Sequence, residues 1–369
     1  MTKKFSFLFS ILIIASVMLA SCANATPAEE ATVEEPAAAE PAAEEPAAEE
    51  AAPAMTFCQV TDTGGIDDKS FNATAWAGME DAATDFGVTV KYLESQQQSD
   101  YEVNLNAFIE EGCDLIISVG FLLADATAAA ATANPDVNFA IIDNGNMDLP
   151  NVRGNYSDIQ EATFLAGYLA AGMTETGKVG TYVGILFPST QAFMDGYEMG
   201  VAYYNEVHGT AVEVLGWDME TQQGLEVGNF ESLDDGRAMG ETLLDEGADI
   251  IMPVAGPVGA GTLAVMQERG SGLLIGVDDD WSVKYPDQAD FILASTMKKI
   301  NVFVYDSIQK VINGEFAGGE DYALTLDNGG VGLVYGTAWA DKVPADLAAE
   351  IEALIPQIID GSIAVMPTR

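Results

Sequence analysis

Histidine is all but missing from this chain: His208 is the only one in 369 residues. A metal site built from several histidines is therefore excluded, and a histidine-based triad would rest on His208 alone. That residue lies in the polar stretch Asn205-Glu206-Val207-His208-Gly209, which reads as a surface loop. Basic residues are scarce too: 14 Lys and Arg stand against 58 Asp and Glu, a formal charge of −44. So acidic a surface repels phosphate backbones and anionic lipid faces, which excludes nucleic acid as an expected partner of the folded body. It fits a saline habitat or simple solubility outside a cell, and composition does not separate the two. Cys58 and Cys113 each begin an expected strand. A disulfide between them is allowed in an oxidising compartment, but buried free thiols are the preferred expectation. Past residue 20 no apolar stretch is long and uncharged enough to span a membrane.

What is present begins with the N-terminus. Lys3 and Lys4 precede the apolar run Phe5 to Ala20, a secretory signal too short for a membrane span. The run ends in Leu19-Ala20-Ser21-Cys22, which resembles a bacterial lipobox; residues 1–22 are then a lipoprotein signal peptide and Cys22 the lipidated residue. Residues 23–54 repeat Pro-Ala-Ala-Glu-Glu, with prolines at 36, 41, 46 and 53 interrupting any helix. Like charges and the lack of core-forming residues make this stretch a disordered tether that gives the body reach.

From Met55 onward, apolar strand-like runs alternate with helical patterns. Phe57–Val60 is followed by a helix at 73–86, Val88–Leu93 by 101–111, and Asp114–Val119 by 124–134; Phe139–Ile142 ends at Asp143. The pattern restarts after a helix at 162–173, with strands at 179–184, 211–216, 249–254 and 273–277 and helices at 191–206, 236–246 and 260–268. This alternation predicts an α/β protein of two doubly wound, largely parallel sheets. The chain would return to its first half through a helix at 300–313. The expected lobes are 55–158 plus about 297–322, and 159–296 plus about 323–369, hinged around a ligand cleft.

Each strand ends in a polar or glycine-rich segment, and such ends gather at the ligand crevice of open α/β sheets. Asp62 follows the first strand, Gly120-Phe121 the third and Asp143-Asn144 the fourth. In the second half come Phe230, Ala255-Gly256-Pro257, Asp278-Asp279-Asp280 and Lys298. The densest turn is Asp62-Thr63-Gly64-Gly65-Ile66-Asp67-Asp68-Lys69-Ser70-Phe71-Asn72, where a flat ring adjoins an amide. Phe71 and Asn72 suit a polar, ring-shaped ligand, which points to binding rather than chemistry. Asp67 and Asp68 are read as helix caps in preference to a cation site.

That turn, with Thr61 before it, resembles the signature of the basic membrane protein family of substrate-binding lipoproteins, which serve ABC importers. Phe164-Leu165-Ala166-Gly167-Tyr168, Asp195-Gly196-Tyr197, Pro253-Val254-Ala255-Gly256, Ile275-Gly276-Val277-Asp278 and Gly329-Gly330-Val331-Gly332-Leu333 match in order. The resemblance implies a type I periplasmic-binding fold and a lipid-anchored receptor on the extracytoplasmic face of the cell membrane. It further implies capture of a nucleoside, a purine nucleoside foremost, and delivery to an ABC permease, with no cofactor and no catalysis. Phe71 and Phe230 would sandwich the base, Asn72 and Asp143 would bond its polar edge, and Gly256, Asp278 and Lys298 would hold the ribose. Asp62 and Ser70 would add contacts or shape the loop, Asp280 is the rival of Asp278, and Lys298 would pair with Asp278 or a ligand hydroxyl. One departure stands out: Gln191-Ala192 precede Phe193 where the family usually has basic residues. A monomer is expected. A receptor for a sugar or another small polar metabolite, and a sensory lipoprotein without transport, remain open; a nucleoside hydrolase would need a calcium cluster that Asp62, Asp67 and Asp68 do not match.

Overall fold

A computed structural model describes residues 55–367. The expected signal peptide, Cys22 and the tether lie outside the described residues. The first half runs β1 (Thr56–Val60), α1 (Phe71–Phe86), β2 (Thr89–Leu93), α2 (Asp100–Glu111), β3 (Leu115–Val119), α3 (Ala124–Ala133), β4 (Asn138–Ile142) and β5 (Val152–Ser157). The second adds α4 (Ile159–Met173), β6 (Lys178–Val183), α5 (Pro188–His208), β7 (Glu213–Leu215) and a hairpin, β8 (Trp217–Asp218) with β9 (Gln223–Gly224). It continues with α6 (Leu233–Asp245), β10 (Ile250–Val254), α7 (Gly259–Arg269), β11 (Leu273–Asp278), α8 (Trp281–Lys284) and β12 (Ile292–Lys298). Last come α9 (Ile300–Ile312), β13 (Asp321–Leu324), β14 (Val331–Tyr335) and α10 (Ala345–Ile359).

Two six-stranded sheets result, ordered β13-β5-β4-β3-β1-β2 and β14-β12-β11-β10-β6-β7. All pairings in them are parallel except β12 with β14. The central strands Leu-Ile-Ile-Ser-Val (β3) and Ile-Ile-Met-Pro-Val (β10) are buried at every residue. They read as nearly continuous apolar runs, Ser118 apart, because helices cover both faces of a parallel sheet. The doubly wound, two-lobed α/β fold expected from the alternation is therefore observed.

The two orders match place for place, so β4 corresponds to β11 and β5 to β12. Three segments cross between the sheets: Asp158, Lys299 and residues 325–330. They lie side by side and are tied together, for Asp158 N–H donates to Leu324 O at 2.8 Å and Lys299 N–H to Gly330 O at 2.8 Å. Within the second lobe α4 and α5 cross very closely. A Cβ on Gly167 would stand 2.0 Å from Tyr197 O, and one on Gly200 would stand 2.0 Å from Phe164 O. The motifs Phe164–Tyr168 and Asp195–Tyr197 thus serve packing, since only glycine permits this approach.

Several elements depart from the simple periodic patterns. β5, β13 and β14 and the β8–β9 hairpin carry polar or glycine-rich sequence, and α10 lies in the tail beyond the last expected helix. β5 (Val-Arg-Gly-Asn-Tyr-Ser) hides its polarity: buried Arg153 pairs with Asp306 at 2.6 Å and donates to Ser307 Oγ at 2.9 Å. Two expectations are corrected. His208 is no loop residue; it closes α5, where its ring stacks on Tyr204 at 4.2 Å and its Nε2 lies 2.9 Å from Glu350. A cationic or hydrogen-bonding ring suits the negative end of the helix. Cys58 and Cys113 are joined in a disulfide rather than free. β1 and β3 are neighbours, and Asp114 N–H bonded to Thr56 O at 2.7 Å brings the strand starts together, with Cα atoms 6.1 Å apart. Among the described residues no helix is long and apolar enough to cross a membrane.

The disulfide closes a 55-residue separation inside the first lobe. Its loss is expected to cost about 2–5 kcal/mol. The Cys58→Ala/Cys113→Ala protein should melt several degrees below wild type, and a reductant should lower the wild-type melting temperature alone. Equal melting of the two proteins under oxidising conditions would show that the bridge contributes nothing.

Candidate functional site

The turn after β1 is a knot of hydrogen bonds. The Asp68 carboxylate accepts the backbone N–H groups of Ser70 (2.9 Å), Asn72 (2.8 Å) and Ala73 (2.9 Å), and so caps α1. Asp67, by contrast, is exposed. The Asn72 amide donates to Asp62 (2.7 Å) and Asp68 (3.2 Å) while its oxygen accepts Asp62 N–H (3.3 Å). Asn72 thus lines the cleft with its donors already engaged, and reaches a ligand only by exchanging one of these bonds. Phe71, the first residue of α1, is turned toward the cleft.

Asp143 and Asp278 stand at the matching strand ends of β4 and β11, both in the left-handed region, with φ of 64° and 70°. For residues other than glycine this conformation costs roughly 1 kcal/mol or more and marks sites where geometry is imposed. Both carboxylates are bound across the gap between the lobes. Lys298, the last residue of β12 with a side chain only 2% exposed, sets its Nζ 2.6 and 2.7 Å from the two oxygens of Asp143. Ser70 Oγ donates to Asp278 at 2.9 Å. The expected pairing of Lys298 with Asp278 is therefore replaced: Asp278 is taken by Ser70, and Lys298 reaches the opposite lobe. Its ammonium also lies 5.1 Å from the Phe71 ring and 5.5 Å from Phe193, within cation–π range. Asp280 does not compete for the cleft, because it caps α8 through Ser282 N–H at 2.9 Å.

Between the lobes lies a cleft that is partly open to solvent. Eight of the nine expected ligand residues line it (Asp62, Phe71, Asn72, Asp143, Phe230, Gly256, Asp278 and Lys298), and Ser70 supports it through Asp278. The wall also contains aromatics that strand-end patterning does not single out. Phe187, just before Pro188 opens α5, lies 6.1 Å from Phe230 and 5.3 Å from Phe121, so three rings run from one lobe to the other. The Phe187-Pro188 pair after a strand is the available signal. Phe230 reaches the cavity over Gly184, where a Cβ would stand 2.4 Å from its ring. Gln191, at the departure from the family pattern, bonds to Gln222 and lies 3.4 Å from Asp195, which also accepts Trp217 Nε1–H at 3.0 Å.

The cleft is crowded with acid. Burial raises Asp62, Asp68 and Asp278 to about 6 each, with neighbouring carboxylates adding to it and hydrogen bonds opposing it. Lys298 also opposes the rise at Asp278. Carboxylates are strong hydrogen-bond acceptors, and burial without a counter-charge favours their protonated form. Among the described residues no group of three or more His, Cys, Asp or Glu side chains is placed to hold a metal ion.

Comparison with known proteins agrees with this architecture. The sequence model of a family described as "ABC transporter substrate-binding protein PnrA-like" matches residues 56–365. A Lactococcus lactis subsp. cremoris protein named "ABC transporter nucleoside-binding protein BmpA" is 30% identical, covering 83% of this chain and 87% of its own. "Basic membrane protein A" of Borreliella burgdorferi is 33% identical over 82% of this chain and 85% of its own. Among solved structures, a solute-binding protein of an ABC transporter system from Aeropyrum pernix K1 superposes with a TM-score of 0.75 at 28% identity, covering 85% and 94% of the two chains.

The buried carboxylates make unliganded stability depend on pH. Their folded-state values lie above the ordinary 3.8, so the stability they contribute is fully present below about 4 and is lost as pH rises through about 6. Urea unfolding from pH 5 to 7.5 should show the ligand-free protein weakening as pH rises. Asp278→Asn should flatten that slope and stabilise the protein at neutral pH by on the order of 2 kcal/mol. An unchanged slope in the variant would remove Asp278 as a contributor.

Proposed function

The chain belongs to the Bmp family of PnrA-like ABC transporter substrate-binding proteins, and from that membership we propose that it captures a nucleoside, a purine nucleoside foremost, and delivers it to an ABC permease. The observation that carries this reading is the meeting of Phe71 and Phe230 in one interlobe cavity with Asp143, Asp278 and Lys298. Aromatic faces hold a heterocycle by stacking, at about 1–3 kcal/mol per base, and tolerate changes of base. Carboxylates accept ribose hydroxyls and N–H groups of the base, and a site built around those partners rejects analogues that lack them. A bare sugar has no aromatic ring to stack on the Phe121–Phe187–Phe230 wall, which favours the nucleoside over the sugar reading.

In this proposal Phe71 and Phe230 stack on the base and Asp143 accepts from its polar edge. Asp278 and Lys298, with Gly256, hold the ribose. Asn72 orients Asp62, and Ser70 orients Asp278. The two bodies, parted at Asp158, Lys299 and 325–330, close by rotation at these crossings. Closure buries the ligand and presents a shape that the permease recognises. The relatives are named as binding proteins, and the cleft is read as a binding site without catalysis. The protein works as a monomer, with the lipid on Cys22 and the 23–54 tether holding it to the outer face of the cell membrane.

Calorimetry of the tether-free body against adenosine, guanosine, inosine and ribose tests the reading. Nucleosides should bind and ribose alone should not. Phe71→Ala is expected to weaken binding by about tenfold or more. Asp278→Ala should do the same while leaving the circular dichroism of the protein unchanged. Silence with every nucleoside would remove the ligand assignment, and release of free base on long incubation would make the protein an enzyme.

A further inference from the structure

A second cavity of about 290 Å³, partly open to solvent, lies beside the interlobe cleft and shares Phe121, Asp143, Ser189 and Lys298 with it. The Lys298–Asp143 pair therefore stands where the two spaces adjoin. The far chamber is bounded by the loop and strand after β4, through Asn144 and Ser157, and by the first turns of α5, through Ala192.

We propose that this chamber receives a neutral, polar-ended substituent carried on the ring edge of a purine nucleoside, so that the protein binds ring-substituted nucleosides as well as the parent compounds. The inference rests on the nucleoside reading above. There Asp143 faces the polar edge of the base, so a group attached at that edge is directed past Asp143 into the neighbouring space.

Charge decides what enters. Among the described residues Lys298 is the only cation on the chamber wall, and it is already paired with Asp143. A phosphate would meet the Asp143 carboxylate with no free positive partner, which disfavours nucleotides. The chamber also offers a hydrogen bond that no described residue uses. Ser157 Oγ is buried on its wall without a partner, and buried hydroxyls in folded proteins are normally satisfied. Phe121, Ile159 and Ala192 supply the apolar remainder of the surface. A short alkyl group ending in a hydroxyl matches this lining: its carbons meet the apolar side and its oxygen meets Ser157.

Titration calorimetry of the protein with adenosine, N6-propyladenosine and N6-(2-hydroxyethyl)adenosine, which differ at that edge alone, tests the proposal. Both substituted compounds should bind within about tenfold of adenosine, with the hydroxyethyl form about 3–10-fold tighter than its propyl isostere. Ser157→Ala should erase the difference between the two without altering adenosine affinity. Ala192→Phe, which fills the chamber, should weaken both substituted compounds by more than about tenfold and adenosine by less than about twofold. If wild type binds adenosine but discriminates against both substituted forms by more than about a hundredfold, the chamber is not a subsite and this inference alone falls. It falls equally if Ser157→Ala weakens all three ligands to the same extent. If no nucleoside binds wild type at all, the parent reading fails and takes this one with it.

Discussion

The ion pair between Lys298 and Asp143 is the contact on which the geometry of the cleft depends. Its partners come from the matching ends of two different sheets, and both side chains are almost fully removed from water. Taking two charges out of water is expensive, and only close, multiple contacts offset it; removing one partner of such a pair costs about 3–5 kcal/mol. The pair therefore forms only when the ends of β4 and β12 approach correctly. That approach is set by the crossings at Asp158, Lys299 and 325–330, which are bonded to one another. The Phe71 and Phe193 rings around the ammonium exclude water and strengthen the attraction.

The same arrangement concentrates acid in the site. Asp62, Asp68 and Asp278 are buried near each other, and one lysine does not neutralise them. Burial among like charges holds these carboxyls above the ordinary carboxylate range, so the cluster costs stability as pH rises. The remainder of the body offsets this weakness. Fully buried central strands, the close α4–α5 crossing and the Cys58–Cys113 bridge form a rigid frame away from the cleft.

Much of this organisation is legible residue by residue. Nearly continuous apolar runs such as Leu115–Val119 and Ile250–Val254 reveal a two-sided parallel sheet, and the helical spacing after them reveals the crossovers. The turn at 62–72 is local, so its capping by Asp68 follows from the order of residues alone. β5 is not legible, because Arg153 is tolerable in a buried strand only once Asp306 and Ser307, 153 and 154 positions later, are in place. The disulfide escapes for a related reason: spacing along the chain says nothing about which strands become neighbours. Likewise Phe187 carries no marker of exposure until Phe121 and Phe230 line up with it.

Pattern and composition by themselves determined the α/β class, the two halves and the concentration of polar groups at strand ends, because periodicity and turn chemistry act over a few residues. Which carboxylate takes the lysine was decided only in three dimensions. Asp278 was the nearer candidate along the chain, yet Ser70 occupies it and Lys298 turns to Asp143, 155 positions away. Electrostatic pairing depends on distance and burial through space, and those exist only after both sheets have formed and faced each other.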